Sequence, residues 1–179
     1  PSTSMVGTRT SSSGSTTDPG PTRATELSGL VEALGSPAPL TSQAAIDALG
    51  AMADPASRSD LQSLARHPDP SRRASAIAAL ARVERRPQRF IGPLRSRDDR
   101  IAGAAARAMA TVGKLGRHVD LLDATVRRSG FAAQINASAA LARHLPATRA
   151  PVASALLHHR KPVVRANAAF ALGRLKVAG

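Results

Sequence analysis

One apolar position recurs along this chain with the same neighbours each time. Leu49, Leu80, Met109, Leu141 and Leu172 stand 31, 29, 32 and 31 residues apart. The residue before each of these anchors is alanine: Ala48, Ala79, Ala108, Ala140 and Ala171. Four residues before each anchor comes another: Ala45, Ala76, Ala105, Ala137 and Ala168. Three after come Met52, Val83, Val112, His144 and Leu175, apolar in all but one. Offsets of −4, −1, 0 and +3 share one face of an α-helix, and small residues on that face let a second helix approach closely. A segment that must hide such a face, repeated along a chain, leaves few folds open.

A second apolar pattern precedes each anchor: Leu30 and Leu34, Leu61 and Leu64, Ile91 and Leu94, Val119 and Leu122, Val152 and Leu156. Breakers lie between it and the anchored helix, as in GSPAP at 35–39, HPDP at 67–70 and HRKP at 159–162. Others separate the units, such as ADP at 53–55, RRP at 85–87, GKLG at 113–116 and LPATRAP at 145–151. Each unit reads as a helical hairpin of about 30 residues that cannot bury its own face, so neighbours must stack. The expected class is all-α: a solenoid of about five hairpins over 23–53, 54–85, 86–114, 115–146 and 147–177. Composition agrees, because aromatic residues are 2% of the chain, all of them Phe, and alanine fills the positions they would take. Alanine is the best helix former and a poor strand former.

These residues resemble a known repeat family. The fifth unit, with Val164, Arg165, Ala168, Ala171, Leu172 and Gly173, looks like the V-R-x-x-A-x-x-A-L-G core of HEAT repeats. The short bacterial form, also called the phycobilisome-lyase HEAT-like repeat, is the nearest in pattern. The family's Asp position holds Lys161 in that unit, the second unit keeps Asp69 and Arg73, and the third keeps Asp98 but has Ala102 for the Arg. The first and fourth units retain only the Ala/Leu frame. The resemblance covers about residues 23–177 and implies a binding surface, with second helices lining the concave side; it says little about activity.

Residues 1–22 are rich in Ser, Thr, Gly and Pro, a disordered-type extension that cannot offset its own ordering entropy. Its ordering would need a partner, as in a subunit of a larger assembly. The formal charge of +13 comes from 22 Arg and three Lys against 12 acids. It favours anionic partners, either acidic protein or nucleic acid, although a GC-rich coding sequence produces the same Arg and Ala bias. The absence of Cys leaves the redox compartment undetermined, with the cytoplasm as default. No apolar run approaches the roughly 18 residues of a membrane span.

No catalytic set, metal set or cofactor motif emerges. His67, His118, His144, His158 and His159 include no pair at i+3 or i+4, and read as solvated residues at loop ends. GKLGRH lacks the spacing of a phosphate loop. RRAS at 72–75 and NAS at 136–138 match a phosphorylation site and a glycosylation sequon, but both fall inside second helices. HEAT-like chains include bilin-attachment lyases and alkylpurine DNA glycosylases. The glycosylase pocket needs aromatic residues beside a carboxylate, and this chain has no Trp or Tyr. The reading is therefore non-enzymatic, with a lyase or glycosylase-type HEAT-like enzyme subunit as the remaining alternative.

One geometric pattern stands out. Offsets −9, −2, +2 and +5 from the anchor lie opposite the core, at roughly 140–200° around the helical wheel. They hold Arg82, Arg85, Arg100, Arg107, Lys114, Arg143 and Arg174, with Asp47 and Asp54 as the acids. The expectation is a basic ridge along the concave groove for an anionic partner; a merely solvated face would have the same composition. The last unit instead carries Val163, Phe170 and Val177 at these offsets, an apolar line that suggests a docking surface.

Overall fold

The computed structural model describes residues 22–113, 115–127 and 130–175. Nearly all of the extension 1–22, and the candidate residues Lys114 and Val177, lie outside the described residues. Among those described, the chain forms helices without strands. They pair in order as α1 (Arg23–Leu34) with α2 (Pro39–Met52), then α3 (Arg58–Leu64) with α4 (Pro70–Val83), and α5 (Ile91–Leu94) with α6 (Asp99–Val112). After these come α7 (Val119–Val126) with α8 (Phe131–His144), and α9 (Ala150–Leu156) with α10 (Pro162–Leu175).

The sequence explains the starts of these helices. Proline opens α2, α4 and α10, where its missing N–H is not needed and its φ is already helical. Asp69 caps α4 by accepting from the Ser71 N–H at 2.7 Å, and Asp98 caps α6 through the Arg100 N–H at 2.9 Å. A short 3-10 turn leads into α3, α5, α7 and α9.

Each second helix packs on its own first helix and on the second helix of each adjacent unit, whereas first helices of neighbouring units barely touch. The second helices thus form the tighter layer, and a stack of such hairpins bows toward them. The result is an α-solenoid. Leu49, Leu80, Met109 and Leu141 are buried, as are the alanines at −4 in all five units. One apolar cluster runs without interruption from Leu34 to Ala171. Phe90, Leu115 and Leu145 join it from the segments that link the units. As isolated apolar residues without a period, they carried no signal in the sequence.

Candidate interaction surface

The second helices meet along four seams, and side chains at fixed offsets from the anchors bridge them. At −5, Ser75 donates to the Gln43 Oε1 at 2.9 Å, Asn136 to the Gly103 carbonyl at 3.1 Å and Asn167 to the Ser138 Oγ at 2.9 Å. These are the Ser of RRAS and the Asn of NAS, so two apparent modification signals are rungs between helices. Near the helix ends, Arg72 reaches the Ser36 carbonyl at 3.3 Å, and the His144 Nε2 donates to the Ala110 carbonyl at 2.7 Å. Asp99 accepts from the backbone N–H groups of Ala132 and Ala133 at 2.8 and 2.9 Å, and so caps α8 from the preceding unit. The residue at that cap position, Gly130, offers no side chain, and an added Cβ there would collide with the Asp99 carboxylate.

The candidate arginines divide into two groups. Arg82, Arg85, Arg107 and Arg143 are exposed, and no hydrogen bond or ion pair engages their guanidinium groups among the described residues. Arg100 and Arg174 are engaged within the chain. Arg100 pairs with Asp98 at 3.0 Å and also donates to the Ser71 Oγ. Its hydrogen bond holds the Asp98 carboxyl below the usual carboxylate range. Arg174 donates to the Ala142 and Leu145 carbonyls at 3.1 and 2.6 Å, satisfying the end of α8 rather than facing outward as a free cation.

Two shallow depressions run along the second-helix face. One, of about 240 Å³, spans α2, α4 and α6 and is lined by Asp47, Arg82, Arg107 and Thr111. The next, of about 260 Å³, spans α4, α6 and α8 and is lined by Ser75, Arg100, Arg107 and Asn136. Arg107 stands in both, so Arg82, Arg100 and Arg107 lie along one continuous face. Arg85 and Arg143 line neither depression.

Of the apolar line, Val163 is 38% exposed and Phe170 62%. Leu40, at 85%, and Phe131, at 64%, are exposed as well and were missed in the sequence. Leu40 stands at −9 in its unit, as Val163 does in the last, so its register was a usable signal. Phe131 lies under the Lys161 ammonium, 4.5 Å from the ring centre.

His118 and His159 differ from the solvated residues expected, whereas His158 is exposed. His118 is buried and His159 half-buried, and burial is the main reason both titrate below the ordinary histidine value. No group of three or more ligand-type side chains gathers among the described residues. No helix there is long and apolar enough to cross a membrane.

In comparison with known proteins, residues 27–110 match the family described as HEAT repeats. That span runs from α1 into α6. No curated protein matches the chain.

Proposed function

We propose that this chain, a HEAT-repeat protein, is a non-catalytic interaction module that holds an acidic protein surface against the inner face of its second helices. HEAT repeats are generally scaffolds for protein interaction. In the finer reading, Arg82 and Arg107 are the central contacts, with Arg85 and Arg143 as flanking cations and Lys114 beside them in sequence register. Val163, Phe170 and Val177 form a separate apolar docking surface, and residues 1–22 tether the solenoid within a larger assembly.

The observation that carries this reading is that Arg82 and Arg107 share one depression with no ion pair between them and any acid among the described residues. Clustered cations repel one another, and an incoming carboxylate relieves that repulsion while forming charge-assisted hydrogen bonds. Asp47 lines the same depression. A partner of mixed charge can use it, whereas a phosphate backbone would be repelled. Binding to a nucleic-acid backbone is the second reading, supported by the same unpaired arginines. The chain has no Trp or Tyr to stack on bases.

The test is capture by the full chain, with bound proteins identified by mass spectrometry, beside an Arg82→Glu/Arg107→Glu variant. Acidic proteins recovered by the parent chain and lost by the variant, at unchanged helicity, are the expected result. Equal recovery by both refutes the assignment. Binding to random duplex DNA with a steep salt dependence, in the absence of any protein captured, would move the function to the second reading.

A further inference from the structure

Two interior seams, α2 on α4 and α6 on α8, show one register. Gly50, at +1 in α2, lies so close to α4 that an added Cβ would sit 2.8 Å from the Ala79 Cβ, at −1. Gly103, at −6 in α6, approaches α8 in the same way, with the Ala132 Cβ at 3.1 Å and at offset −9. The depressions extend the rule: Arg107, at −2, faces Ala132 and Asn136, at −9 and −5. A second helix there offers −6, −2 and +1 forward, and receives with −9, −5, −1 and +2.

Among the described residues, both ends of the array leave these sets uncovered. On α10 the forward set is Ala166, Phe170 and Gly173, all exposed among the described residues, as is Val163 at −9. Nothing lies within 4 Å of a Cβ added at Gly173, although Gly50, its equivalent in the first unit, is tightly covered. On α2 the receiving set is Leu40, Ala44, Ala48 and Ala51, exposed except for Ala48, which is half-buried. A solenoid end facing water normally carries polar side chains. These two carry apolar ones, in complementary registers.

Charge selects the occupant. In sequence, the first unit (23–53) holds Arg23 against Glu26, Glu32 and Asp47, a net −2. The last (147–177) holds Arg149, Arg160, Lys161, Arg165, Arg174 and Lys176 with no acid, a net +6. We infer that α10 of one copy docks on α2 of a second copy, head to tail, so that Phe170 meets Leu40 and Ala44 and the solenoid continues across the junction. This rests on the reading of the last repeat as a docking surface and names its occupant. The contact joins two different patches, so it is heterologous and leaves a free face at each end for further copies.

Sedimentation of the full chain over a concentration series tests this, with Phe170→Glu and Leu40→Glu as probes at exposed positions. The parent chain should form dimers and longer species as concentration rises. Each variant alone should associate about 30-fold more weakly or worse, since a charge replaces an apolar anchor at the centre of the contact. Mixing the two variants should restore a one-to-one dimer that does not extend, because one retains an intact first repeat and the other an intact last repeat. A parent chain that stays monomeric overturns the inference. So does a Leu40→Glu chain that dimerises as the parent does, which would mean symmetric pairing through α10. A monomeric chain that still captures acidic proteins through Arg82 and Arg107 leaves the proposed function standing.

Discussion

Replacing Gly50 by alanine sets two effects of opposite sign against each other in the last turn of α2. Alanine is the better helix former by about 1 kcal/mol, so propensity alone predicts a gain. The new Cβ, however, would lie 2.8 Å from the Ala79 Cβ and 2.9 Å from the Ala79 Cα. Carbon atoms pack best at about 3.5–4.0 Å, so α4 must retreat by roughly 0.7 Å or more. One of the atoms in the way is backbone, which a rotamer change cannot move. Overpacking of this kind costs about 1–3 kcal/mol, and the backbone obstacle places it toward the upper end. The clash wins, leaving a net loss of about 1–2 kcal/mol once the propensity gain is set against it. Gly29→Ala, in the exposed part of α1 with nothing within 4 Å of the added Cβ, is the matched control. It should stabilise by about 0.5–1 kcal/mol. Denaturant unfolding followed by circular dichroism reads both. If Gly50→Ala stabilises as Gly29→Ala does, the close-approach account of the seams is wrong.

Asp99→Ala should cost about 1.5–3 kcal/mol, because it removes two charge-assisted bonds from an α8 terminus whose own cap residue is glycine. Hydrogen exchange at the Ala132 and Ala133 amides should speed up more than at the centre of α8, and unchanged protection there would refute the cap. Burial lowers the His118 pKa from its ordinary 6.5, so the unfolded chain binds that proton more readily. His118 therefore contributes stability that is complete above about pH 6.5 and is lost as pH falls through its folded value. Unfolding midpoints measured across that range should drop on acidification, and His118→Phe should flatten the drop.

The Ala/Leu frame was legible because it obeys one periodicity in five places, and its burial follows from geometry alone. The bridging residues were not. Ser75, Asn136 and Asn167 share an offset that holds alanine at Ala44 and Ala104, so no one residue type marks it, and two of the three read as modification signals. Their purpose is visible only when the preceding helix supplies Gln43, the Gly103 carbonyl or Ser138. The arginine row was legible as a row, but the freedom of each guanidinium was not. Arg100 has its acid two residues away, so its pairing was open to sequence reasoning. Arg174 is held by carbonyls about thirty positions upstream. No local pattern announces that contact.

The same feature that builds this fold also concentrates its charge. With alanine and glycine at the seams, the second helices stand close together, and side chains on their inner face crowd more than they would over a bulkier core. Those long enough to reach a neighbour's terminus, such as Arg72, His144 and Arg174, are drawn into holding the stack. Arg82 and Arg107 stand instead at offsets where the neighbouring helix offers side chains of Ala, Thr and Asp47 rather than free carbonyls. Among the described residues they find no fixed acceptor, and their repulsion is set by the spacing of the helices. Net charge does not specify a fold, but it does bias what a preformed surface will accept. In the proposed function, a carboxylate that fits between the two arginines would relieve this repulsion on a preformed surface, without that surface first having to rearrange.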